Sequence, residues 1–182
     1  MIYRKANPEE IEDIWRIVMD GKASLAALGI DQWQGTDPTH EMIEADMAAG
    51  QTRVVADEDG TILGTLVFWE GGEPDYDNVT AGGWFVQSGN GTGDELCRYA
   101  ALHRVAVGAH ATRRGVASFM FEQALAEARE KGYASVRIDT HHGNIPMQKT
   151  LLKTGFISCC EIIINSEAEP TKERLGFEQV LF

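Results

Sequence analysis

Leu102-His103-Arg104-Val105-Ala106-Val107 is a mostly apolar run that leads, after a short loop, into Thr112-Arg113-Arg114-Gly115-Val116-Ala117-Ser118. An extended chain that turns straight into a helix offers a definite chemistry. The first helical turn leaves about four N–H groups without intrahelical partners, and the macrodipole adds partial positive charge there. Such an end can cradle an anion as large as a pyrophosphate. Gly115 and the small Ala117 let a ligand approach the main chain, and Arg113 and Arg114 add charge at its mouth. The plainer alternative is a strand-to-helix junction with a glycine turn and two solvated arginines. Neither a Gly-x-Gly-x-x-Gly dinucleotide loop nor a Gly-Lys-Ser/Thr phosphate loop occurs.

The elements that must position this junction follow from periodicity and caps. Met1–Ala6 reads as a strand. Asn7 and Pro8 open a helix whose stripe includes Ile11, Ile14, Trp15, Val18, Leu25 and Leu28, with Gly21 a candidate break and Gly29 a stop. A second helix is expected over His40–Ala48. Thr52–Ala56 and Thr61–Trp69 bracket the turn Asp57-Glu58-Asp59-Gly60 as a hairpin. Residues 70–97 are Gly-rich and acidic, and read as one long irregular stretch. A strand at Tyr99–Val107, a helix at Gly115–Lys131, a strand at Ser135–Asp139 and a helix at Pro146–Lys153 follow. Phe156–Ile164 and Glu173–Leu181 close the chain as an antiparallel pair. The fold class is α/β (α+β): a mixed, mostly antiparallel sheet of about seven strands with helices on both faces.

With 182 residues, the chain has the length of one domain. Its net charge of −12 argues against a nucleic-acid partner, which needs clustered Lys and Arg, and permits a cationic ligand. No apolar run reaches the roughly 20 residues of a membrane span, and no secretory leader is visible, so a cytoplasmic protein with no membrane partner is expected. Cys97, Cys159 and Cys160 make no disulfide framework. Strand alternation would send Cys159 and Cys160 to opposite faces. His141 and His142 lack a third ligand at recognisable spacing, and no metal is expected.

These motifs resemble those of the GNAT N-acetyltransferases. Val107 followed by Thr112-Arg113-Arg114-Gly115-Val116-Ala117 is similar to that family's Gln/Arg-x-x-Gly-x-Gly/Ala cofactor motif. Asn144-Ile145-Pro146-Met147, continuing to Lys153-Thr154-Gly155-Phe156, is similar to its next motif, in which an Asn opens a helix and Gly-Phe closes it. The resemblance implies acetyl-CoA as co-substrate and the GNAT fold over residues 1–182. It implies that the backbone of Val105, Ala106 and Val107 binds the pantetheine arm like an added strand. The amides of Arg113, Arg114, Gly115, Val116, Ala117 and Ser118 would hold the pyrophosphate, and Asn144 would contact the cofactor. Two positions depart from the pattern. Thr112 replaces the usual Gln or Arg, and Leu151 stands where many relatives carry a Tyr that protonates the leaving thiolate. Cys160 or Tyr99 could supply that proton, although each also reads as a packing residue.

Direct attack by an amine needs a base, an oxyanion donor and a leaving thiolate. The resemblance places an oxyanion donor among the amides near Val105–Val107. His103 is the candidate base: it lies two residues from Val105, hence on the same strand face, and an imidazole's ordinary value of about 6.5 suits the task. The arylalkylamine acetyltransferases, which this segment resembles, carry a catalytic His at the matching place. The plain alternative is a packed histidine. The acceptor, expected to be a small-molecule amine, would be walled by Trp33 and Gln34 on one side and by Tyr76 and Trp84 on the other. Carboxylates beside aromatics suit a cation there. The competing readings are acetylation of a protein lysine or N-terminus, and a non-catalytic acyl-CoA-binding module. A homodimer through the two C-terminal strands is a further expectation of the resemblance.

Overall fold

The computed structural model describes residues 1–87 and 99–182. Its elements are β1 (Ile2–Lys5), α1 (Ile11–Ala27), α2 (His40–Ala48), β2 (Thr52–Ala56), β3 (Ile62–Trp69), β4 (Val79–Gly82), β5 (Tyr99–Val107), α3 (Val116–Glu130), β6 (Ser135–Thr140), α4 (Ile145–Lys153), β7 (Ile157–Ile163) and β8 (Glu173–Val180). The strands form one sheet in the order β1-β2-β3-β5-β6-β8-β7-β4. Among the described residues β5 and β6 pair in parallel, and the other pairs are antiparallel. The sheet thus has eight strands rather than about seven. The extra one is β4, a four-residue edge strand inside the stretch read as irregular, and it is defined only by pairing with β7.

Helices α3 and α4 cover one face. Met120, Phe121, Ala124, Leu125 and Leu151 pack there on Leu66, Phe68, Val136 and Ile138. Helices α1 and α2 cover the other, where Ile14, Ile17, Val18 and Ile43 meet Val54, Ile62 and Ala106. Coverage on both faces explains why β3 is buried from Ile62 to Phe68. Gly21 does not break α1. A Cβ there would lie 3.1 Å from the Cβ of Ala106 and 3.2 Å from Trp33, so glycine lets the helix settle against β5.

The segment before residue 88 packs as a third cluster, in which Tyr76, Trp84, Tyr99, Cys160 and Ile162 are buried together. Arg137 is 1% exposed beneath it, its guanidinium 4.5 Å from the Trp84 ring and 3.9 Å from the Tyr99 ring. Glu178, also fully buried, takes hydrogen bonds from Arg137 Nε at 3.0 Å and Ser135 Oγ at 2.6 Å, and it binds the amide of Phe85. A buried pair of this kind is tolerable because every charge has partners. No helix among the described residues is long and apolar enough to cross a membrane.

Candidate active site

Strands β5 and β6 pair only where Tyr99–Ala101 meets Ser135–Arg137. Beyond that point they part, and Leu102–Val107 and Ile138–Thr140 line a groove of about 700 Å³. That volume falls within the usual range for small-ligand clefts. The groove is also shaped by a bulge. Between the pairs Val67–His103 and Thr65–Ala106, β3 advances two residues while β5 advances three. The residue that turns the chain is Arg104, at φ 48°. Its guanidinium is held by the buried Asp46 of α2 through contacts of 2.6 and 2.8 Å. The bulge inverts the expected parity. Val105 packs toward the α3 face, while His103 lies against Trp69 and Tyr76. His103 and Val105 therefore do not share a strand face, because the extra residue breaks the two-residue repeat.

Val105, Ala106, Val107, Thr112, Ala117 and Asn144 all line the groove. Gly115 caps α3 at φ 78°, and Arg113 precedes it at φ 62°. Both φ values are left-handed, which glycine alone adopts without cost. Arg113, Arg114, Gly115, Val116 and Ser118 lie at the helix end without being among the groove-lining residues. The side chains of Arg113 and Arg114 are exposed, and that of Val116 is buried in the core, leaving only main-chain groups to offer from it. Asn144 caps α4 by accepting the Met147 N–H at 3.3 Å. The groove side of α4 is Pro146, Met147 and Thr150, whereas Leu151 is fully buried in the core. The parted strands, the left-handed helix cap and the small Ala117 fit an acyl-CoA.

At the opposite side of the groove stand Trp33, Tyr76 and His103. His103 Nε2 lies 3.1 Å from Glu73 Oε2. Burial pushes the Glu73 carboxyl up, but the close contact with His103 and the Asp75 N–H that Glu73 Oε1 accepts at 3.2 Å outweigh it and hold the group below its ordinary value. The Glu73 amide donates to Tyr99 Oη at 2.8 Å, which anchors that residue. Tyr76, 1% exposed, donates from its hydroxyl to Asp139 Oδ1 at 3.1 Å. Burial raises the Asp139 carboxyl above its usual range against the pull of His103 and Arg174. Asp139 was not singled out by sequence, and neither was Arg174 beside it. Asp139 lies near the end of a strand, Ser-Val-Arg-Ile-Asp-Thr, that also carries Arg137, so no local signal set it apart.

Two expected acceptor residues are placed differently. Gln34 does not line the groove. Its amide donates to the carbonyls of Lys22 at 3.0 Å and Gln32 at 3.1 Å, and Gln32 faces the groove instead. Trp84 lies behind the wall: its Nε1–H donates to the Tyr76 carbonyl at 2.8 Å, and its ring stacks on Tyr76 at 4.8 Å. Tyr99 and Cys160 are buried away from the groove lining, so neither takes the place left by Leu151.

The loop between α1 and α2 is clasped to the β7–β8 connection. Trp33 N–H donates to Glu169 Oε1 at 2.9 Å, and Thr171 Oγ1 to Asp31 Oδ2 at 2.6 Å. A Cβ on Gly35 would fall 2.0 Å from the Ala168 carbonyl oxygen, so glycine permits this approach. His141 joins the clasp, with Nε2 3.5 Å from Asp31 Oδ1 and Nδ1 accepting the Gly143 N–H at 2.9 Å. Among the described residues no group of three or more His, Cys, Asp or Glu is placed to hold a metal.

The family model described as the acetyltransferase (GNAT) family matches residues 22–156. A GNAT-family acetyltransferase structure from Streptococcus agalactiae is 29% identical, with a TM-score of 0.82 over 98% of this chain and 94% of that one. A GNAT-family structure from Listeria monocytogenes is 15% identical, with a TM-score of 0.69 over 99% of this chain and 94% of that one. A structure from Salmonella typhimurium, described with its cofactor acetyl-CoA, is 15% identical, with a TM-score of 0.68 over 100% of this chain and 94% of that one. Among curated proteins, none matches the sequence.

Proposed function

The chain belongs to the acetyltransferase (GNAT) family and takes acetyl-CoA as co-substrate, and from that premise we propose that it acetylates a primary amine of a small molecule by direct attack. The observation that carries this reading is the His103–Glu73 contact inside the groove where β5 and β6 part. In this reading, acetyl-CoA supplies an activated acetyl thioester. The first-turn amides of α3 hold its pyrophosphate, and Val105–Val107 and Asn144 take the arm that lies between the strands.

Acidic groups dominate the acceptor side. Glu73, Asp75, Asp139 and Glu169 all line it, while the two arginines among the described lining residues are paired, Arg104 with Asp46 and Arg174 with Glu169. That surplus of negative charge, beside Trp33 and Tyr76, favours a cationic amine. His103 removes the proton that makes the amine nucleophilic, and Glu73, 3.1 Å from Nε2, orients the ring. Leu151 has no proton to give, so the thiolate is protonated by solvent or by the proton the amine has lost. The clasp ties the loop carrying Trp33 to the β7–β8 connection, and a wall held in this way suits a small acceptor better than a protein chain.

Calorimetric titration with acetyl-CoA, followed by thiol release over a panel of small amines and a lysine peptide, tests this. Micromolar binding with release on small amines supports the reading. Release on the peptide alone replaces it with protein acetylation, and binding without any release replaces it with a non-catalytic module.

A further inference from the structure

Adjacent residues on a regular strand point to opposite faces, but Cys159 and Cys160 do not. In β7 Ser158 pairs with Phe177 and Cys160 with Gly176, so β7 takes two steps where β8 takes one. Cys159 is the extra residue of this bulge, and its Sγ lies 3.9 Å from that of Cys160. Both thiols are free. Cys159 is half-buried, whereas Cys160 is 5% exposed within the cluster of Tyr76 and Trp84. A Cβ on Gly176 would lie 2.4 Å from Cys160 Sγ and 2.7 Å from Trp84 Cη2. Glycine at 176 thus leaves the space that lets sulfur and indole press on one spot.

We propose that Cys159 and Cys160 form a vicinal dithiol site that a hydroperoxide converts into an intramolecular disulfide. The S–H of Cys159 donates toward Cys160, which holds the Cys160 thiol below its ordinary value, while that same hydrogen bond and then burial push Cys159 up. Cys160 is therefore the more readily ionised of the two sulfurs, and it acts as the nucleophile. Its sulfur attacks one peroxide oxygen, the O–O bond breaks, and the departing alkoxide or hydroxide takes a proton from solvent. The Cys159 sulfur then attacks the sulfenic acid on Cys160, the S–O bond breaks, and the hydroxyl leaves as water with the Cys159 proton. Two thiols lose two electrons in all, and the peroxide is reduced to an alcohol and water, or to two waters.

Closing the bond brings the sulfurs from 3.9 Å to about 2.05 Å and so disturbs the packing of Cys160 in the cluster it shares with Trp84. Trp84 stacks on Tyr76, a groove-wall residue, so the disulfide reaches the acceptor side of the site. The whole protein, treated with hydrogen peroxide, alkylated and digested with trypsin, yields the peptide 154–172, which contains both residues. The expected result is a peptide lighter by two hydrogens and refractory to alkylation, restored by dithiothreitol and never formed in Cys159→Ser. Two thiols that remain alkylatable overturn the proposal. So does separate oxidation to sulfinic acids, or a link from either residue to Cys97 or to another chain.

Discussion

Arg104 grips Asp46 through contacts of 2.6 and 2.8 Å, and the residue so held is the one whose φ of 48° bends β5 away from β6. Helix α2 therefore braces the bulge that opens the groove. Asp46→Ala should cost about 2 kcal/mol, less than the roughly 3–5 kcal/mol of breaking a fully buried pair, because Arg104 is partly exposed. Turnover should fall with it. Arg104→Gly, which adopts the same φ freely, should retain more activity than Arg104→Ala. Denaturant melts and thiol-release rates decide the matter: wild-type activity in Asp46→Ala would show that the bulge needs no brace, and equal activity in the two Arg104 variants would show that the positive φ at 104 limits nothing.

His103→Gln should lower turnover roughly 100-fold or more, as loss of a general base does, and flatten the alkaline rise of rate against pH. Glu73→Gln, which keeps the shape of the side chain and removes its charge, should lower turnover less and leave acetyl-CoA affinity unchanged. A pH profile in His103→Gln identical to wild type would remove His103 from the chemistry.

Ala117→Glu separates helix stability from ligand binding. A carboxylate in the first turn of α3 complements the macrodipole and should raise stability by about 0.3–1 kcal/mol. Lining the groove, the same charge should repel the pyrophosphate and weaken acetyl-CoA binding by roughly tenfold, about 1.4 kcal/mol. Calorimetry beside a thermal melt reads both signs. Unchanged affinity would place the phosphates elsewhere.

Trp33→Ala should raise the acceptor KM roughly tenfold, the loss of about 1.4 kcal/mol of aromatic contact, and leave acetyl-CoA binding intact. Steady-state kinetics with each substrate varied in turn distinguishes the two. Equal damage to both would mean that Trp33 supports the fold rather than the acceptor.

His141 gives the clasp a pH dependence. Burial, with the charge of Arg174 behind it, holds this histidine below its ordinary 6.5. The folded protein then binds a proton there less readily than the unfolded chain does. Its contribution to stability is intact above about pH 6.5 and is lost as pH falls from that value toward the lower folded one. Glu169, raised by burial, acts in the opposite sense, since protonation favours its folded form. Melting temperature against pH should therefore fall less steeply between about 6.5 and 5 in His141→Gln than in wild type. Parallel curves would assign the acid sensitivity to other groups.

Much of the frame was legible in the chain because it rests on local signals. The 3.6-residue stripe of Ile14, Val18 and Leu25, the Asn144–Pro146 cap and the glycine before Val116 each dictate a local conformation without help from distant residues. The order of strands and helices followed from them, and with it the resemblance that placed the cofactor end. What remained hidden depends on pairing between segments far apart. Strand β4 exists only against β7, and the bulges at Arg104 and Cys159 exist only as mismatches of register with β3 and β8. Period two is a rule about one strand. Whether a residue is inserted into the ladder is decided by its neighbour, so the faces of His103, Val105, Cys159 and Cys160 were beyond a reading of β5 and β7 alone. The acceptor wall is of the same kind. Glu73 meets His103 and Tyr76 meets Asp139 because the sheet brings segments 30 and 63 residues apart to one groove, and Trp84 and Gln34 were turned aside by bonds to carbonyls whose position only the folded chain sets.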